Sequence, residues 1–271
     1  MNAPREPPRS PAEPEPGSLL GVGMRTLLER ELRRFLRIPG QTIFSPLITT
    51  SLYFVVFGLS VGTQVRAVDG VPYMRFIVPG LIALGVVSNA LLNTSSSLFS
   101  MKIQGIIVDI LVTPLSYGAL LSAFLIASVV RALMVGILMW IVAGLFTGFG
   151  LAHPLYTLLS LTGVALTFAA MGLIVGVWAD KFEQVNFVPA FVITPLTFLG
   201  GVFYSVHTLP HVLAAITWAN PVFYLVDLVR WAMLGIHDAP VAADLGALLI
   251  LGGVSVGVAW AMLRSGYKLR G

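Results

Sequence analysis

The stretch LGGVFYSVHTLPHVLAAITWANPVFYLVDLVRWAMLGI, residues 199–236, decides how this chain is read. It is apolar enough for a bilayer, yet Gly200, Gly201, Pro210 and Pro221 interrupt it, and Asp227 and Arg230 lie close together within it. In hydrocarbon each freed backbone group needs a partner that lipid does not supply. Irregular backbone therefore survives at membrane depth only where protein or a water-filled cavity surrounds it. The segment marks a place where something polar meets the membrane, which points to transport.

The rest of the chain agrees. Of its 271 residues 57% are hydrophobic and only 10% are charged, against about a quarter charged in soluble domains. Mean hydropathy is +0.91. An all-α integral membrane protein follows. Cysteine is absent, which excludes disulfides and thiolate metal sites. The net charge of +4 is read as the basic bias of loops on the cytoplasmic side rather than as a nucleic-acid footprint. Residues 1–18 are Pro-rich and nearly free of large apolar side chains. They predict a disordered cytoplasmic tail reaching to residue 23, and no signal peptide.

About 20 apolar residues cross a bilayer. Six stretches qualify: Thr42–Gly62, Phe76–Leu98, Tyr117–Phe146, Pro154–Trp178, Phe187–Ser205 and Asp244–Leu263. Residues 209–236 are a seventh by hydropathy alone, and charge decides against a full crossing. With six spans and both termini inside, Arg25, Arg30, Arg33, Arg34, Arg37, Lys102, Lys181, Arg264, Lys268 and Arg270 share the cytoplasmic side. Only Arg66, Arg75 and Arg230 fall outside. A seventh span would reverse the C-terminal cluster, against the positive-inside rule. Residues 209–236 are therefore expected to dip in and return as two half-helices hinged at Asn220-Pro221.

Ahead of the first span, Met24–Ile38 carries Leu27, Leu28, Leu32 and Phe35 on one helical face and arginines on the other. This is the pattern of an amphipathic helix in the headgroup layer. Glu31 sits on the apolar side. It either pairs with Arg34 at the edge of that face or makes a specific contact with another helix. Between the second and third spans, SMKIQGIIVDILVTPLS (residues 100–116) predicts a turn at Gly105, a short helix through Asp109 and Leu111, and a break at Thr113-Pro114. A small, partly apolar helix outside the membrane needs something to plug into.

Two polar stripes run along the first spans: Thr42, Ser45, Thr49 and Tyr53 on one, and Asn89, Asn93, Ser96 or Ser97, and Ser100 on the other. Either they line a passage, together with Thr194 of the fifth span, or they bond helix to helix at about 0.6 kcal/mol per contact. Arg131 is the ionisable side chain deepest in a span and must face protein or water, in a structural or a substrate-binding role. The four histidines, His153, His207, His211 and His237, map outside and lack the companions of a metal site. No GxxxxGK[ST] loop occurs, since none of Lys102, Lys181 and Lys268 follows glycine. This chain therefore does not hold ATP in that manner, and no HExxH occurs either.

These motifs in this order resemble the membrane subunit of type 2 ABC exporters, among them the bacterial permeases for drugs and nodulation oligosaccharides. The similarity is carried by ELRRFLR and QTIFSPLIT within 31–49, YMRFIVPGLI at 73–82, ILVTPLS at 110–116, VPAFVITPLTFLGGVFYS at 188–205 and the NP at 220–221. The resemblance implies that residues 24–271 form one transmembrane domain in the bacterial inner membrane, working as a homodimer. It implies a separate ATP-binding subunit that carries ATP and Mg, so this chain is no enzyme itself. It implies ATPase coupling through Glu31, Arg34, Gly105, Asp109, Leu111, Thr113 and Pro114. Ile110-Leu111 stands where the family has paired leucines. An outer gate is implied around Gly201, Phe203, Pro210, Asn220, Pro221 and Tyr224, with a hydrophobic, amphipathic or glycoconjugate cargo. Two other classes remain: an ion-coupled secondary transporter, which needs carboxylates buried in the spans and an inverted repeat, neither apparent here; and a structural membrane protein.

Overall fold

The computed structural model describes residues 25–33, 45–60, 67–107, 116–148 and 150–269. Among them the chain is mostly helical, and its strands form a two-stranded hairpin of β1 (Ala67–Val68) and β2 (Val71–Pro72). Helix α1 covers 25–33 and α2 covers Ser45–Ser60. The long apolar helices are α3 (Tyr73–Ile103), α4 (Tyr117–Thr147), α5 (Pro154–Trp178) and α10 (Val241–Ser265). Between the last two come α6 (Phe182–Val188), a π-helical turn (Pro189–Ile193), α7 (Thr194–Phe198), α8 (His211–Ala219) and α9 (Pro221–Leu234).

Local chemistry sets these boundaries. Ser116 caps α4 by accepting the amide of Ala119, and Gly148, at φ 59°, ends it. Pro154 opens α5, where its missing N–H costs nothing. Gly235 and Gly266, both left-handed, close α9 and α10. Among the described residues four helices are long and apolar enough to cross a membrane, or five if the bent pair α8–α9 is one span.

Helix α3 is the axis. Of its apolar window 72% is buried, against 17% for α10, so α3 is the core helix and α10 a peripheral one. It packs most extensively on α5 and next on α4. Gly172 and Gly176 make the α3–α5 approach possible, because a Cβ at Gly172 would lie 3.0 Å from the Leu91 Cα, and one at Gly176 would lie 2.9 Å from the Ser95 carbonyl oxygen. Small residues four apart are the usual device for close helix packing in lipid.

Two of the lysines expected on one side, Lys102 and Lys268, meet at one end of the bundle. Lys102, at the end of α3, donates to the carbonyls of Val177 and Ala179, 3.0 and 2.8 Å away. Lys268, beyond α10, donates to the Trp178 carbonyl at 3.1 Å. Both lysines reach the Asp180 carboxylate, at 3.3 and 2.5 Å. The ends of α3, α5 and α10 therefore meet at one basic end of the bundle. Hydrogen bonding from Lys268, first, and then from Lys102 holds the Asp180 carboxyl below its usual range.

The fifth expected span is corrected. Phe187–Ser205 is not a continuous helix: it starts earlier, at Phe182, bulges at Pro189 and ends at Phe198. Gly200 and Gly201 then turn the chain, Gly201 at φ 78°. The bulge arises because the Thr194 amide bonds five residues back, to the Pro189 carbonyl, which also accepts the Thr194 hydroxyl at 2.9 Å. The break at Asn220-Pro221 is present as an 87° bend between α8 and α9. Asn220 holds it by accepting the Val222 amide and donating to the Leu196 carbonyl at 2.6 Å.

Candidate functional site

A cavity of about 250 Å³ opens between α2, α3, α4 and α7, lined in part by Thr49, Tyr53, Ser88, Asn89, Thr194 and Phe198. Three residues expected to line a passage, Thr49, Asn89 and Thr194, come from three different helices and meet here. The π-turn explains the third, since the extra residue re-aims Thr194; such bulges concentrate at functional sites. Asn89 donates to the Gly85 carbonyl of its own helix at 3.0 Å, which leaves its amide oxygen to the cavity.

Other members of the expected set lie elsewhere, which corrects the single-stripe reading. Asn93 is buried against α4: its amide donates to the Ser128 hydroxyl at 2.8 Å and its oxygen accepts from Arg131 at 2.8 Å. Thr94 reaches the same Ser128 hydroxyl at 2.5 Å. Arg131 is therefore part of an interhelical network and does not line the cavity. Ser97 lies farther along α3 and donates to the Glu31 carboxylate at 2.6 Å. Glu31 is 2% exposed and makes the expected contact with another helix; its other reading, the pairing with Arg34, lies outside the described residues.

At the end opposite the basic cluster an aromatic group adjoins the cavity. The Phe203 ring stacks on Phe57 with centroids 4.4 Å apart, and it contacts Phe198 at 5.3 Å and Tyr53 at 6.0 Å. Tyr53 and Phe198 are also cavity walls, so the aromatic group and the cavity share side chains. The Tyr73 hydroxyl donates to the Phe203 carbonyl at 3.3 Å. Gly80 admits the loop bearing Phe203, because a Cβ there would lie 2.7 Å from the Val202 Cα.

The Phe203 loop is held by a charged cluster whose first half, Asp227 and Arg230, is visible in the sequence. Arg230 is 1% exposed. It donates to the Gly201 carbonyl and to Asp227, the latter at 3.3 Å, lies 3.9 Å from Asp238, and stands 4.3 Å over the Phe76 ring. Asp227 accepts the amides of Asp238 and Ala239, at 2.9 and 2.8 Å. Asp238 in turn accepts the Ser205 hydroxyl and the Val206 amide, at 2.7 and 2.9 Å. One guanidinium and two carboxylates thus tie α3, the Gly201–Val206 turn, α9 and the loop before α10. Sequence reading missed Asp238; its position in an HDAP turn after α9 was the available signal.

Asp244, in the first turn of α10, is fully buried beside this cluster. Its carboxylate and that of Asp227 correct the expectation that no carboxylate is buried in the apolar segments. Neither lines the cavity. Among the outer residues, Pro210 caps α8 and the Tyr224 hydroxyl donates to the Trp218 carbonyl at 2.9 Å. The four histidines are exposed, and among the described residues no group of His, Cys, Asp or Glu could hold a metal. Gly105 makes its turn at φ 74°. The tail before residue 24 and the expected coupling residues Arg34, Asp109, Leu111, Thr113 and Pro114 lie outside the described residues.

The comparisons with known proteins point one way. A family model described as ABC-2 type transporter matches residues 23–234. The inner membrane transport permease YadH of Escherichia coli K12 is 36% identical over 252 residues, covering 93% of this chain and 98% of the relative. Nodulation protein J of Rhizobium leguminosarum bv. viciae is 31% identical over 227 residues, 82% and 86% of the two chains. Nodulation protein J of Rhizobium meliloti is 29% identical over 226 residues.

Proposed function

Since this chain belongs to the ABC-2 type transporter family and is a membrane permease subunit, we propose that it forms the path of an ATP-driven exporter, residues 24–271 acting as one transmembrane domain. A separate ATP-binding subunit holds ATP and Mg, and a second permease copy completes the path. The basic end with α1 faces the cytoplasm, as the positive-inside rule favours. The spans then number six: α2, α3, α4, α5, the bulged α6–α7 segment and α10. The pair α8–α9 dips into the outer side and returns.

The observation that carries this reading is the cavity with its adjoining aromatic group. A chamber with four hydroxyls and an amide among apolar walls suits an amphipathic or glycoconjugate solute. The Phe203 group closes it at the end away from the basic cluster. Coupling enters at the other end, where Glu31 of α1 holds Ser97 of α3. Closure of the ATPase pair pushes α1 and the segment after Gly105, and α3 carries the movement along its length to Phe76, beneath Arg230. Movement of the Arg230 cluster frees Phe203. This is a two-state coupling, and it requires the ATPase contact to differ between states.

The test is transport by the complex reconstituted in vesicles. Asn89→Leu with Thr194→Leu removes two of the five polar groups of the lining and is expected to cut ATP-dependent efflux of an amphipathic dye at least tenfold, with assembly and ATP binding intact. Unchanged efflux contradicts the assignment of the path. Ion-coupled transport predicts instead that flux by this chain alone follows a proton or sodium gradient and stops in Asp244→Asn.

A further inference from the structure

A second cavity, of about 280 Å³, lies away from the first, between α4, α5 and the end of α9. Its walls are apolar, including Leu133, Leu161 and Met233, and at its mouth Ile137 and Leu158 are about half exposed, 50% and 49%. Helices α4 and α5 are long and apolar enough to cross a membrane, so the groove between them is continuous with their lipid-facing surface. In that setting an apolar groove gains nothing by being apolar, because lipid chains are equally so. What distinguishes it is a single polar atom. The Trp140 indole N–H is buried in the wall and has no hydrogen-bond acceptor among the described residues. The other polar wall group, the Thr157 hydroxyl, is already bonded to the His153 carbonyl at 3.0 Å.

An unsatisfied donor in hydrocarbon is costly, and depth identifies its acceptor. Helix α4 has 31 residues, about 46 Å at 1.5 Å per residue, against a hydrocarbon core of about 30 Å. A centred helix overhangs each face by about 8 Å. Trp140 precedes the end of α4 at Thr147 by seven residues, about 10 Å. The indole N–H therefore sits close to one hydrocarbon boundary, the level at which glycerolipid ester carbonyls hang.

We propose that this groove is a binding site for one diacyl glycerophospholipid, with an acyl chain between α4 and α5 and an ester carbonyl accepting the Trp140 N–H. The lipid fills the notch between the two helices and satisfies the donor. Neither the export reading nor the direction of transport enters this inference; it needs only that α4 and α5 face lipid.

The chain has five tryptophans, so a form keeping only Trp140, with Trp178, Trp218, Trp231 and Trp260 changed to Phe, reports from the groove itself. A form keeping only Trp260, 41% exposed, is the lipid-facing reference. Both are placed in vesicles containing brominated phosphatidylcholine. Trp140 is expected to be quenched at severalfold lower brominated fraction than Trp260. Leu161→Phe, which fills the groove, is expected to remove the difference. A brominated diether lipid, lacking the carbonyl, is expected to bind about two- to tenfold more weakly, the worth of one hydrogen bond. Equal quenching of the two forms, or equal binding of diester and diether, overturns the proposal. Should the four-Phe background not fold, native mass spectrometry of the unaltered chain and of Trp140→Phe decides. Diester is retained over diether by the first and not by the second, whereas equal preference in both, or a different compound in the groove, overturns it.

Discussion

Arg230 is a full positive charge with 1% of its side chain exposed, and it persists only because oxygen atoms surround it. Removing one partner of such a pair leaves an uncompensated buried charge, at a cost of about 3–5 kcal/mol. Arg230→Ala is therefore expected to destabilise the protein by that order, with Asp227→Ala close behind, measured as thermal denaturation in detergent. Arg230→Leu combined with Asp227→Asn is expected to lose less than the sum. At the other end, Glu31→Gln keeps the shape of the Ser97 contact and weakens a charge-assisted hydrogen bond. It is expected to lower ATP-driven flux several-fold with normal expression; Ser97→Ala is expected to match it, and additive losses in the double variant speak against a shared contact. These residues were unequally visible in advance. Glu31 stood out because it breaks an amphipathic pattern, and Arg230 because a charge stood in an apolar run. The carbonyl of Gly201 and the carboxylate of Asp238 did not, since nothing local marks a partner brought in by folding.

At the scale of an element, a repeat of four residues is not quite a helical turn. Asn89, Asn93 and Ser97 drift by about 40° at each step, so one apparent stripe faces a cavity, a neighbouring helix and α1 in succession. That drift is why the lining was only partly legible. The boundaries of α4 and α5 were legible because caps and prolines are local signals, whereas the early end of α7 was hidden by apolar residues running on to Phe203. The small pair Gly172 and Gly176 was readable and went unread. Gly172→Ala is expected to force α3 and α5 apart, costing about 1–3 kcal/mol by overpacking, whereas Gly253→Ala, with nothing within 4 Å of its Cβ, is expected to be neutral in the same melting assay. The tie at Asp180 carries a pH dependence. Its folded carboxyl titrates below the unfolded value of about 3.9, so the tie is present at neutral pH and lost as pH falls through the depressed folded value. Melting temperatures of the unaltered chain and Asp180→Asn are expected to converge in strong acid and to differ near neutrality.

For the whole molecule, α3 links three levels. Phe76 lies under the Arg230 cluster, Asn89 at the cavity and Ser97 at the α1 contact. Phe76 and Ser97 are 21 residues apart, about 31 Å along a helix, close to the hydrocarbon thickness of a bilayer. A helix of that length is stiff enough to pass a push from one face to the other. Because the chain contains no cysteine, single cysteines report without background. The direct measurement is labelling of Thr49→Cys, Asn89→Cys and Thr194→Cys by an impermeant maleimide added outside vesicles, in complex with the ATP-binding subunit, Asn93→Cys serving as the buried control. The three cavity positions are expected to label when the complex is trapped with nucleotide and to be protected without it, while Asn93→Cys stays unlabelled in both. Labelling that ignores nucleotide, or that reaches Asn93→Cys as readily as its neighbours, contradicts a gated path at this cavity.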